Sequence, residues 1–89
     1  MNFAIIGCGF IAKKHAKAIQ EVENANLVAV SDKLSSAMQP YVEEYGAEAY
    51  ESLDEMLLRE DIDVVSVCTP TGLHAPLAIK VANSKKHVI

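Results

Sequence analysis

Residues 2 to 12, Asn-Phe-Ala-Ile-Ile-Gly-Cys-Gly-Phe-Ile-Ala, decide how this chain folds. The apolar run Phe3 to Ile6 meets Gly7-Cys8-Gly9, and a helical pattern begins at once. That order reads as strand, glycine turn, helix. A helix N-terminus carries unpaired N–H groups and the positive end of the helix dipole, which suits an anion. Gly7 permits the tight turn. Gly9 has no Cβ, so a pyrophosphate can come close to the backbone there. A dinucleotide-binding turn wants a third small residue, and Ala12 supplies it. Asp32 follows 20 residues after Ala12, at the end of a second apolar run, where an acid for ribose hydroxyls is expected.

The rest of the chain alternates in the same way. Leu27 to Val30 reads as the second strand, closed by Ser31-Asp32, after a turn at Asn24-Ala25-Asn26. Glu48 to Tyr50 is a short third strand, Asp63 to Val67 a fourth rich in valine, and His87-Val88-Ile89 the start of a fifth. Helices are predicted from Phe10 to Glu23, Ser35 to Tyr45, Ser52 to about Arg59, and Pro76 to about Asn83. Ser52-Leu53-Asp54-Glu55 has the form of a capping box, with Leu53, Met56 and Leu57 as its core face. Gly46 suits a helix stop. Pro40 lacks an N–H, which predicts a late start or a bend between Ser36 and Pro40. On the first helix, Ile11, Ala12, His15, Ala18, Ile19 and Val22 share one face, so His15 reads as a core histidine rather than a catalytic one.

Strands alternating with helices imply an α/β fold, a doubly wound parallel sheet in the order 3-2-1-4-5, unfinished at its C-terminal end. A ligand would sit beyond the carboxyl ends of the strands, at the switch between the first and fourth. The segments after Ile6, Ser31 and Val67 reach that edge. They bring Gly7, Cys8, Gly9, Phe10 and Ile11 together with Asp32 and Lys33, and with Cys68, Thr69, Pro70, Thr71 and His74. Cys8 and Cys68, each following one of two adjacent strands, should be neighbours.

Bulk properties narrow the function. At 89 residues the chain is one domain, and one of this size buries only roughly 60 to 68% of its unfolded surface. Its hydrophobic share of 51% fits a packed globule. Twelve acids against 8 bases, with Lys85-Lys86-His87 the densest basic cluster, argue against nucleic acid as partner. No apolar run approaches the ~20 residues of a membrane span, and no basic, then apolar leader opens the chain. Two cysteines make no disulfide framework, so the cytoplasm is the default compartment. No metal-binding motif stands out. The unfinished edge exposes unpaired backbone groups, which predicts edge-to-edge pairing between copies.

The segment Thr69-Pro70-Thr71-Gly72-Leu73-His74 resembles the Thr-Pro-Asn-x-x-His segment of the glucose-fructose oxidoreductase / inositol dehydrogenase (Gfo/Idh/MocA) family. Gly7-Cys8-Gly9-Phe10-Ile11-Ala12 is similar to that family's Gly-x-Gly-x-x-Gly/Ala loop, and Ser84 to Ile89 to the stretch leading into its Glu-Lys-Pro motif. The resemblance runs in order along nearly the whole chain. It implies a three-layer Rossmann-type domain that binds NAD within a dehydrogenase acting on CH–OH groups of a sugar, sugar nucleotide or polyol. It also implies that Thr69 and Pro70 line the nicotinamide side.

Thr71 departs from the family's Asn. The family's catalytic lysine would follow Ile89, and its substrate domain later still. The 89 residues would then be a cofactor-binding fragment without catalytic residues, inactive alone. Each residue also has a plainer reading: a simple turn at Gly7 and Gly9, a helix cap at Asp32, a loop corner at Thr69-Pro70, a helix start at His74. Asp32 would repel a 2′-phosphate, favouring NAD over NADP, with Lys33 the one nearby offset. Two rival functions remain. A nucleotide-sensing regulatory module would need Gly7, Gly9 and Asp32 but not Thr69-Pro70 and His74. A methyltransferase would usually carry more glycines in the loop.

Overall fold

The computed structural model describes residues 1–69 and 74–89; the side chains of His74 and Ala75 also lie outside the description. The elements are β1 (Asn2–Ile6), α1 (Phe10–Glu21), β2 (Asn26–Ser31), α2 (Ser35–Tyr45), β3 (Glu48–Tyr50), α3 (Leu53–Leu57), β4 (Val64–Val67), α4 (His74–Asn83) and β5 (His87–Val88). They form a five-stranded parallel sheet in the order β3-β2-β1-β4-β5, as the alternation predicts. The short β5 lies at one edge, paired to Val64 and Val65.

Each face of the sheet has its own core, because successive residues of a strand point to opposite sides. Ile5, Leu27 and Val30 meet Ala12, Ala16 and Ile19 of α1 and Met38 and Tyr41 of α2. Ala4, Ile6, Ala29, Val65 and Val67 meet Met56 and Leu57 of α3 and Val81 of α4. The alternation slips once. Phe3 pairs with Leu27 but Ala4 with Ala29, so β2 carries a bulge at Val28. Leu27 and Val30, an odd spacing apart, therefore share a face. Arg59, the chain's one arginine, donates from Nη1 to the Val28 carbonyl at 3.2 Å while its other nitrogens hold Asp61 at 2.8 and 2.6 Å.

The face of α1 differs from the periodicity reading. Ala12, Ala16 and Ile19 are buried and His15 half-buried, whereas Ile11, Ala18 and Val22 are exposed. A helix laid close to a sheet needs small residues at the line of contact, and the alanines supply it. α1 also stops two residues early. Asn24 takes a positive φ of 65°, and Asn26 opens β2 instead of ending the turn.

α2 starts at Ser35 despite Pro40, so no late start occurs. Pro40 and Ser36 are both exposed, so water can satisfy the Ser36 carbonyl that Pro40 leaves without a donor. Gly46 closes α2 at φ 69°, donating to Val42 and Tyr41 carbonyls. The Ser52 hydroxyl accepts from the Glu55 N–H at 3.3 Å, as the capping box requires. α3 ends at Leu57 rather than Arg59, since Leu58 and Arg59 turn back onto Glu55 and Met56 three residues earlier. Among the described residues no helix is long and apolar enough to cross a membrane.

Candidate cofactor site

Three strand ends converge at the carboxyl edge, and backbone bonds stitch them together. Gly7 N–H donates to the Ser31 carbonyl at 2.8 Å, Cys68 N–H to Ile6 at 2.8 Å, and Asp32 N–H to Tyr50 at 3.3 Å. Gly7 sits at φ 88°, where L side chains are strained. A Cβ there would lie 2.9 Å from Thr69 Cγ2 and 3.1 Å from the Cys68 carbonyl carbon. Gly7 is thus required by the protein's own packing.

Gly9 is different. Its backbone is extended, at φ −87° and ψ −159°, and among the described residues a Cβ would meet nothing within 4 Å. No described residue fills the space in front of it. Gly9 is the N-cap of α1, yet no side chain caps that end, and no acid lies in its first turn. α3 shows the contrast, with Ser52 as cap and Asp54 and Glu55 behind it. Phe10 and Ile11, 74% and 51% exposed, flank this bare N-terminus.

Asp32 ties the second strand to the loop. Its Oδ2 accepts from Cys8 N–H at 2.8 Å and its Oδ1 from Leu34 N–H at 2.9 Å. A carboxylate has about four acceptor positions, so each oxygen keeps room for a hydroxyl donor. Lys33 beside it is exposed. Cys8 itself is buried, and its N–H is engaged by Asp32, so it shapes the loop rather than offering a free donor.

Burial pushes the Cys8 thiol up to about 12, with the Asp32 and Cys68 charges adding to the effect. Burial also raises Cys68. Both thiols are free and share one core cluster, as their strand positions predict. Thr69 packs against Gly7. Pro70 and Thr71 lie outside the described residues. His74 begins α4, and its side chain lies outside them too.

One contributor escaped the sequence reading. Tyr41, 2% exposed on α2, reaches Gly9 and donates from its hydroxyl to the Gly9 carbonyl at 3.4 Å. Its spacing from Met38 marks the buried face of α2 and was the available signal. A groove of about 320 Å³ between α1 and α2 is lined by helix residues, Lys13, Lys17 and Tyr45 among them. It belongs to the helical layer rather than to the three strand ends.

The chain is similar to known proteins along its whole length. It is 38% identical to inositol 2-dehydrogenase of Rhizobium meliloti over 88 residues, 99% of this chain and 26% of that one. The solved WlbA dehydrogenase of Bordetella pertussis, in complex with NADH and UDP-GlcNAcA, matches at a TM-score of 0.89 and 39% identity. That match covers 98% of this chain and 27% of that one. KijD10, a 3-ketoreductase of Actinomadura kijaniata solved as a mutant with TDP-benzene and NADP, matches at 0.90 and 28%, over 99% of this chain and 28% of that one. The chain therefore spans about a quarter of the length of the relatives it matches. The model of the Gfo/Idh/MocA oxidoreductase family, NAD-binding Rossmann fold, matches residues 1–89, and the chain belongs to that family.

Proposed function

We propose that these residues form the cofactor-binding part of an NAD-dependent dehydrogenase that oxidises a CH–OH group of a sugar, sugar nucleotide or polyol. One observation carries the cofactor half of this reading. The Asp32 carboxylate is held 2.8 Å from the glycine loop's Cys8 N–H, which supports reading the two as one site, acid for ribose and turn for phosphate. The residues fit a dinucleotide. Gly9 leaves open the space a pyrophosphate needs, the bare α1 N-terminus offers N–H groups from Phe10 and Ile11, and Asp32 keeps acceptor capacity for a ribose diol. Cys68, Thr69, Pro70, Thr71 and His74 would border the nicotinamide half. When bound, that cofactor supplies a hydride acceptor.

The protein's own share is binding and orientation. Of its 89 residues none is assigned to take the substrate's hydroxyl proton, and the dehydrogenase activity and the substrate class belong to the proposal. The relatives' names, an inositol dehydrogenase and a dehydrogenase solved with a sugar nucleotide, support that substrate class. Free thiols at Cys8 and Cys68 suit a reducing, cytoplasmic setting. The β5 edge suits pairing with a second copy.

NAD is the preferred form. A 2′-phosphate on the adenosine ribose would face the Asp32 carboxylate. Arg59 is engaged by Asp61 and the β2 bulge, which leaves Lys33 as the nearby cation. Calorimetric titration with NAD, NADP and S-adenosylmethionine tests the reading. NAD should bind more tightly than NADP, and Asp32→Asn should narrow the gap. Equal or tighter binding of NADP by the parent sequence refutes the preference, and binding of S-adenosylmethionine in place of NAD refutes the dehydrogenase reading.

A further inference from the structure

We infer that Tyr41 is a positioning residue for the pyrophosphate, gripping the Gly9 carbonyl so that the Phe10 N–H is aimed outward at a phosphate oxygen. This rests on the cofactor reading above.

Among the described residues Tyr41 is the largest fully buried side chain. A buried phenol needs a hydrogen-bond partner, and the Gly9 carbonyl is the acceptor the structure gives it, 32 residues away in sequence. Burial first, and then the neighbouring Cys8 and Cys68, push the phenol up to about 12, so it stays protonated and serves as a donor. The Gly9 carbonyl is that of an N-cap, which also accepts the first bond of its helix; two lone pairs serve both donors.

The Gly9–Phe10 peptide is planar and trans, so its C=O and N–H point in opposite directions. With the carbonyl held by the core phenol, the Phe10 N–H is turned to the helix's free end, beside the open space at Gly9. A glycine at this place would otherwise sample many backbone conformations, and ordering it would weaken binding. The 3.4 Å separation is long for a hydroxyl bond, so the grip is a modest one.

The test is Tyr41→Phe, which keeps the ring and removes the hydroxyl. Binding is followed by chemical-shift titration with three probes: NAD, ADP and adenosine. The inference expects NAD and ADP to bind about 3- to 10-fold more weakly, adenosine within twofold of the parent sequence, and the Phe10 amide resonance to move in the free protein. Equal weakening of ADP and adenosine would mean a merely structural role and overturns the inference. So does unchanged ADP binding. Failure of the parent sequence to bind NAD or ADP would instead overturn the cofactor reading itself.

Discussion

The two loop glycines answer to different masters, and replacing each with alanine separates them. At Gly7 the φ of 88° lies in the left-handed half of the map, which costs an L residue about 1–2 kcal/mol. The new Cβ would also press to 2.9 Å against Thr69 Cγ2 and to 3.1 and 3.2 Å against the Cys68 carbonyl. The backbone at Cys68, just past β4, is pinned by its N–H bond to the Ile6 carbonyl. Overpacking of that kind costs about 1–3 kcal/mol. The sum, about 2–5 kcal/mol, is a large part of the 5–15 kcal/mol typical of a folded domain.

At Gly9 the backbone is extended, and among the described residues the Cβ meets nothing. Gly9→Ala should change stability by less than about 1 kcal/mol, because the freedom it removes from the unfolded chain is offset by alanine's poor standing at an N-cap. The same methyl stands where a pyrophosphate would approach, so NAD binding should fall at least tenfold. Urea denaturation followed by circular dichroism gives the stabilities, and calorimetry gives the affinities. If Gly7→Ala is as stable as the parent, the packing argument is wrong. If Gly9→Ala binds NAD normally, the open space at Gly9 is not the phosphate site.

Two further outcomes follow from caps and buried acids. The Cys8 thiol ordinarily ionises near 9.0 and is held near 12 in the fold, so between those values the unfolded chain has shed a proton that the folded chain keeps. Stability is therefore untouched by this group below pH 9 and falls above it, at up to about 1.4 kcal/mol per pH unit; Tyr41, raised from 10.0 to about 12, steepens the fall above pH 10. Urea midpoints between pH 7 and 11 should show this slope, Cys8→Ser should lessen it between pH 9 and 10 while Cys68 sustains the remainder, and a flat profile in the parent sequence refutes it. Ser52→Ala removes the α3 cap and should cost about 0.5–1 kcal/mol, read as a Tm lower by about 2–8 °C; an unchanged melt would mean that the capping bond contributes nothing.

β1, β2 and β4 were legible because each is a short apolar run bounded by turn residues, and the parallel order followed from the alternation of strands with helices. The ends at Gly46 and Ser52 were legible because capping is local chemistry. What escaped was chemistry between residues distant in sequence. The face of α1 was misjudged because periodicity weighs apolarity, whereas the sheet selected the smallest side chains, Ala12 and Ala16. The bulge at Val28 leaves no mark on Leu27 to Val30, and the reason for Arg59 becomes visible only with the carbonyl that it satisfies. Of the candidate site, Gly7, Gly9 and Asp32 could be picked out by spacing. The division of labour between the two glycines could not, since it depends on what β4 brings beside one and leaves away from the other. Tyr41 was hidden for the same reason, as nothing near position 41 mentions Gly9.

On the proposed reading, Asp32 would explain why a phosphate turn and a ribose acid occur together. An isolated glycine loop has little to hold it, because glycines gain flexibility at the expense of order. Here the loop's middle N–H, at Cys8, is bonded to one oxygen of Asp32, and the other oxygen takes the Leu34 N–H that leads into α2. An amide at this place could accept only through its single oxygen and would set an NH₂ against one of those N–H groups. A buried donor left that way costs about 1–3 kcal/mol, and the Cys8 N–H is the less exposed of the two. The acid therefore has a structural reason to be an acid before any ribose arrives. A ribose diol would add its two donors to lone pairs that the loop has already oriented, so the fold would meet much of the cost of ordering that carboxylate. On the proposed reading, the same arrangement would make discrimination against a 2′-phosphate hard to remove alone, since relaxing the charge at Asp32 would also loosen the turn proposed for the pyrophosphate.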